Sequence, residues 1–190
     1  MLDKQEGWVL IITERVVITM EVKICKVLPE NACEYTACHI ACWRSAYKGL
    51  IPDDYLDNMP NELAQRTERL TRNLTELAGE YLYYYAAVEN KMIGRLIMGK
   101  SRDEDKPEAG EIQAIYLLRE HWNKGYGRQM MRYAKDKLKS MGYREIILWV
   151  LEENDRARRF YEKSEFVFDG TKKEIEIGKP LVEVRYTLNL

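Results

Sequence analysis

The stretch from Glu111 to Met131 restricts the fold more than any other part of the chain. It opens with Glu111–Leu118, which carries little charge after its first residue and reads as a strand. It passes through Asn123-Lys-Gly-Tyr-Gly-Arg and enters a segment with Met130, Ala134, Leu138 and Met141 at helical spacing, closed by Gly142. The order is strand, glycine-rich turn, helix. At a helix start several N–H groups have no intrahelical partner and point outward. Glycine lets the main chain come close to a phosphate, and the helix dipole favours its charge. Lys124 and Arg128 flank the turn and can add charge-assisted contacts. The same residues also fit a tight strand-to-helix connection with no ligand. Two phosphate motifs are excluded outright: Walker A, because Gly-x-x-x-x-Gly-Lys-Ser/Thr is absent, and the Rossmann fingerprint, because Met130 stands where its third glycine is needed.

The whole chain leaves phosphate binding to such a local feature. Its net charge is −1, so no global field draws it to nucleic acid or to an anionic membrane. At 190 residues, 46% hydrophobic and 32% charged, it has the balance of one globular domain. No apolar run approaches the roughly 20 residues that span a bilayer, and the start, with an early acidic residue and a short apolar run, is a poor secretory signal. A cytoplasmic protein is expected. Cys25, Cys33, Cys38 and Cys42 all lie in the first quarter of the chain, which suits small buried side chains in a reducing compartment better than a disulfide framework. Cys38 and Cys42 are one helical turn apart with His39 between them. His121 is the only other histidine, and a closed zinc site needs four ligands, so no metal is expected.

Patterning along the chain gives one α+β domain. Residues 1–19 stand apart as an extension that can add a strand, and residues 20–190 form the domain. Met20 opens an alternating segment, Glu-Val-Lys-Ile-Cys-Lys-Val-Leu, suited to a first strand. Asn31–Tyr47 is helical, with Ala37, Ile40, Ala41 and Ala46 near helical spacing. Gly49, Pro52, Asp53 and Asp54 then break into a loop. Asn61–Leu77 carries a stripe of Leu63, Leu70, Leu74 and Leu77. Glu80–Glu89 and Met92–Lys100 form a hairpin around Asn90-Lys91. Tyr81, Tyr83 and Tyr85 share one face, expected to pack under a helix. Asp103–Gly110 is polar and expected to be mobile. Arg144–Leu151 is a buried strand, Asp155–Lys163 a short helix capped by Asn154, and Phe166–Asp169 and Val182–Leu188 finish the sheet.

Three segments resemble GCN5-related N-acetyltransferases. Ile115-Tyr-Leu-Leu-Arg-Glu-His-Trp-Asn-Lys-Gly-Tyr-Gly-Arg is similar to that family's acetyl-CoA loop. Asn154-Asp-Arg-Ala-Arg-Arg-Phe-Tyr-Glu-Lys-Ser-Glu-Phe resembles its Asn-x-x-Ala-x-x-Phe-Tyr-x-x-x-Gly-Phe segment. Ala41-Cys-Trp-Arg-Ser-Ala-Tyr-Lys-Gly-Leu-Ile-Pro-Asp-Asp-Tyr-Leu is similar to the first helix and loop of many bacterial members. There are two departures. Trp122 stands where the family has Arg or Gln, and Glu165 stands in place of a glycine, where a positive φ would be strained.

The resemblance implies a layered α/β/α fold whose mixed, mostly antiparallel central sheet is flanked by helices, and an acetyl-CoA-dependent N-acetyltransferase, with coenzyme A held by Asn123, Lys124, Gly125, Tyr126, Gly127 and Arg128. It also implies main-chain bonds from Leu117 and Leu118 to the pantetheine arm, on a strand splayed from Arg144–Leu151. Asn154 either contacts the pantetheine or caps its helix. Acetylating a primary amine of a small molecule or peptide poses two proton problems: an ammonium near pKa ~10 cannot attack, and a thiolate whose ordinary pKa is about 8.5 leaves better when protonated. Tyr161 matches the family's acid. Glu111 is the expected base, acting through water, and a solvated strand-end charge is its other reading. Trp43, Tyr47 and Tyr55, with the loop from Pro52, match the acceptor region. Asp53, Asp54 and Asp57 attract a cation or are simply solvated. Arg156, Arg158 and Arg159 form a charged helix face or assist the phosphates. No nucleic-acid or membrane partner is implied, and monomer and homodimer both stay open. The alternative activity is a CoA-binding sensor of the same fold without turnover. A structural domain with no cofactor is a third, more distant reading.

Overall fold

The structure is a computed structural model and describes residues 22–76 and 81–190. The expectation for residues 1–19 therefore lies outside the described residues, as does Leu77. Seven strands join one sheet: β1 (Lys23–Lys26), β2 (Tyr81–Val88), β3 (Lys91–Lys100), β4 (Gly110–Leu117), β5 (Glu145–Leu151), β6 (Val167–Glu176) and β7 (Pro180–Asn189). Their spatial order is β1-β2-β3-β4-β5-β7-β6, and every neighbouring pair is antiparallel except β4 with β5.

Helices cover both faces. α4 (Tyr126–Ser140) and α5 (Asp155–Glu162) pack on one face over Ile93, Leu96, Met98, Ile146, Leu148 and Val184. α1 (Ala32–Ala46) and α3 (Leu63–Glu76) pack on the other, with α2 (Asp53–Asn58) beside them. The β2–β3 turn places Glu89 and Asn90 at φ 50 and 62, the conformation that matches the twist of a two-residue hairpin. Tyr81, Tyr83 and Tyr85 pack against α1, as their shared face suggests.

Several expectations are corrected. In α1 the buried residues are Tyr35, Cys38, Ile40 and Cys42 among others, while Ala37 and Ala41 are exposed: the larger side chains take the interface. Asp53 and Asp54 open α2 rather than lie in a loop, which suits acidic residues at the positive end of a helix. Met130, Ala134 and Leu138 are buried, but Met141 lies past the helix end and is exposed. β6 runs to Glu176, well beyond Asp169. Its charges suit a sheet edge, where alternate residues meet water.

The polar segment before β4 is pinned rather than mobile. Arg185, 3% exposed, bonds Asp103 at 2.9 Å, Asp105 at 2.7 Å and Asp169 at 2.7 Å, and Trp149 Nε1 donates to Asp103 at 3.0 Å. Among the described residues, no helix is long and apolar enough to cross a membrane.

Candidate active site

β4 pairs with β5 only through Gly110↔Ile146 and Glu111↔Ile147, while its pairing with β3 continues to Leu117. Beyond Glu111 the two parallel strands part, and one edge of β4 is left open. Leu118 N–H donates to Ile93 O at 2.9 Å, toward β3. Because antiparallel bonding alternates, the Leu117 N–H faces the opposite edge, into the opening. Leu118 is turned away from it: its carbonyl accepts from His121 N at 2.9 Å.

The glycine turn closes one end of this opening. Asn123 and Gly125 have φ 60 and 85, and Gly125 caps α4. The N–H groups of Tyr126, Gly127 and Arg128 precede the first intrahelical bond, Gln129 N to Gly125 O at 3.3 Å. A Cβ on Gly127 would sit 3.4 Å from Phe160 and 3.7 Å from Leu117, so this residue is where α4, α5 and β4 converge. Asn123, Lys124 and Arg128 are exposed at the rim.

An open strand edge beside a glycine-capped helix start is the arrangement expected of an acyl-CoA site. Residues 43–166, well over half of the chain, match the family described as "Acetyltransferase (GNAT) family". The chain belongs to the GNAT acetyltransferase family. It is 28% identical over 161 residues to the uncharacterized N-acetyltransferase YuaI of Bacillus subtilis, covering 79% of this chain and 88% of that one. It is also 28% identical over 134 residues to the probable N-acetyltransferase Rv2775 of Mycobacterium tuberculosis, covering 70% and 73%. The PaiA N-acetyltransferase of Thermoplasma acidophilum, solved in complex with coenzyme A, superposes with a TM-score of 0.70 over 90% of this chain and 100% of its own, at 20% identity. That likeness is one of fold.

Within this GNAT domain, Tyr161 is half-buried on α5 beside Phe160 and Phe166. Burial raises its phenol above the ordinary value, the charges of Tyr116 and Glu183 raise it further, and Arg156 pulls it back. It is therefore a protonated group at neutral pH. Tyr47, at the end of α1, shares a 2.6 Å hydroxyl contact with Tyr116 of β4, and Trp43 packs edge-on against Tyr47 with centroids 4.8 Å apart. Both phenols are raised, chiefly by burial. Tyr55 packs into the same apolar cluster as Trp43 and Tyr47 and also touches the β6–β7 turn, where a Cβ on Gly178 would lie 3.4 Å away. Asp57 pairs with Arg44 at 2.8 Å, and Asp53 and Asp54 are exposed.

Glu111 lies at the closed end of β4 and is 0% exposed. Arg102 bonds both of its oxygens, from Nε at 3.0 and 3.2 Å and from Nη2 at 2.5 Å, and the Arg102 N–H adds a contact at 3.1 Å. Glu183 is the carboxylate that sequence reasoning missed. It stands on β7 opposite Leu151, and its charge raises the phenols of Tyr47, Tyr116 and Tyr161 together. No motif marks it, because only the sheet pairing brings β7 there.

Asn154 caps α5: its Oδ1 accepts from Ala157 N at 3.1 Å. Trp122, the departure from the family pattern, donates from Nε1 to Leu117 O at 2.8 Å, and the Arg156 guanidinium lies 3.2 Å from its ring centroid. A flat cation–π pair thus occupies the position of the usual Arg or Gln. The remaining arginines of this helix bond internally: Arg158 to Tyr186 and the Glu152 carbonyl at 3.0 Å each, and Arg159 to Asp155 at 3.9 Å. Glu165 does adopt φ 72, with its exposed carboxylate on Lys135 at 2.8 Å. Cys38 and Cys42 bring their sulfurs to 4.0 Å inside α1 as free thiols. Among the described residues no cluster of three metal-binding side chains occurs.

Proposed function

We propose that this GNAT enzyme transfers an acetyl group from acetyl-CoA to a primary amine of a small molecule or peptide by direct attack. The single observation that carries this reading is the open edge of β4, which meets unpartnered N–H groups at the start of α4. The residues fit coenzyme A there: Asn123, Lys124, Gly125, Tyr126, Gly127 and Arg128 receive its phosphates, and the Leu117 N–H receives its pantetheine amides as an added strand would. The Asn154 amide lies beside the same arm. Acetyl-CoA supplies the activated acyl group.

Tyr161 acts as the acid. Its raised pKa keeps the proton in place until the leaving sulfur accepts it. Two carboxylates serve the amine end. Glu111 acts through water once Arg102, whose side chain is 53% exposed, swings off it. Glu183 is held more loosely, by Lys173 at 3.4 Å, and its charge reaches the Tyr47–Tyr116 pair. Trp43, Tyr47 and Tyr55 shape the acceptor groove. The free thiols fit a cytoplasmic setting.

Release of free thiol from acetyl-CoA, followed across a panel of primary amines, tests the activity. Turnover with at least one amine is expected. Stabilisation by coenzyme A without thiol release from acetyl-CoA in the presence of any amine would replace the enzyme with a CoA-binding sensor. Glu111→Gln and Glu183→Gln, compared by pH–rate profile, decide the base: the true one loses the acidic limb.

A further inference from the structure

A second polar site lies on the α1–α3 face of the sheet. Arg66, Arg69 and Asn73 of α3 and Arg95 of β3 line a pocket of about 280 Å³ together with Tyr35 and His39 of α1. One carboxylate tempers the three guanidinium groups, Glu62, bonded to Arg66 at 2.6 Å. Among the described residues neither Arg69 nor Arg95 makes an ion pair. Arg95 is only 7% exposed, its Nε has no hydrogen-bond partner, and its guanidinium lies 4.8 Å from the Tyr35 ring centroid. A buried charge is unfavourable unless paired, and the planar arginine fork matches carboxylate and phosphate oxygens two at a time. His39 adds no charge: burial first, then Arg95, Arg66 and Arg69, push its imidazole down to about 2.

The pocket adjoins the acceptor side of the active site. Arg95 is the register partner of Tyr116, which sets their main chains one strand spacing apart, about 4.8 Å. His39 packs edge-on against Trp43 with centroids 5.2 Å apart, so one wall continues into the Trp43–Tyr47–Tyr116 cluster. None of the acyl-transfer roles above uses these arginines.

We infer that the pocket binds an oxyanion group, carboxylate or phosphate, and that this group is the far end of the amine acceptor. The inference rests on the acyl-transfer reading for its second half alone. Thermal shift with inorganic phosphate, against sodium chloride of equal ionic strength, tests the first half. Phosphate is expected to raise the Tm of the native protein and not that of Arg95→Met or of Arg69→Gln, the latter a surface change that leaves the core alone. All three proteins should still be stabilised by coenzyme A. No phosphate-specific shift, or one that survives both substitutions, overturns the site, and an intact response to coenzyme A shows that the acetyl-CoA reading has not failed with it. The second half is tested with paired amines, each with its carboxylate free or converted to the amide. The free acid is expected to have a kcat/KM at least about tenfold higher, a preference that Arg69→Gln abolishes. Phosphate binding without that preference overturns the acceptor assignment and makes the ligand a separate anion.

Discussion

At Glu111, β4 is paired on both edges and its carboxylate is enclosed by Arg102; at Leu117 the same strand is paired on one edge only. The closed end is a structural joint in which charge is neutralised and hidden. The open end leaves a main-chain donor, two paired phenols and a third, half-buried phenol along a strand edge without a neighbour. The difference shows that a strand becomes a binding edge by losing a neighbour, and that the lost hydrogen bonds are then available to a ligand.

The sharpest way to break this comparison is at the open end. Tyr161→Phe should lower kcat by about 100-fold, the lower bound for general acid catalysis, while stabilisation by coenzyme A persists. An unchanged kcat would move the acid elsewhere. Gly94→Ala attacks the one remaining neighbour of that end. Its Cβ would meet Tyr116 O, a main-chain atom, far inside contact distance, so β3 and β4 must separate. A loss of about 3 kcal/mol in urea unfolding is expected, the upper end for overpacking.

Arg102→Met tests the closed end. It leaves a buried carboxylate without its partner, and about 2 kcal/mol should be lost, less than for a fully buried pair because Arg102 is half exposed. Adding Glu111→Gln should restore part of it.

The first parts of this contrast were legible in sequence. The uncharged run of β4, the glycines of the turn and the stripe of α4 are local signals, and each follows from backbone geometry or helical period. Tyr161 and Asn154 were singled out by the resemblance to the family's Asn-x-x-Ala-x-x-Phe-Tyr segment, and the helix cap expected of Asn154 is present. Glu183, the Arg102 clasp on Glu111 and the Arg95 pocket were not, because strand register and helix packing between distant segments create them. The length of β6 was hidden for another reason: at a sheet edge, charged residues alternate with half-buried ones and imitate a loop. The strain foreseen at Glu165 is present as φ 72. Glu165→Gly should therefore raise Tm by roughly 2–4 °C in a scanning thermal melt, even though the Lys135 contact is lost.

The smallest expected effect is an absence of change. The proposed acid role needs Tyr161 in its protonated form, and its pKa is raised above the ordinary value of 10. The rate should thus show no alkaline decline attributable to this phenol below about pH 10, whereas an acid with an ordinary or lowered value would bring one. A decline that begins near pH 8 and disappears in Tyr161→Phe would contradict the half-buried aromatic environment described for it.

The two rungs that join β4 to β5 also have a mechanical meaning. β1–β4 and β5–β7 are two stiff antiparallel plates, and Gly110↔Ile146 with Glu111↔Ile147 is the sheet's lateral spine between them among the described residues. A plate pair joined at one end is stiffest at the joint and loosest far from it. A molecule laid along the gap would splint the plates together, and slowed amide exchange in both β4 and β5 would register that stiffening at once.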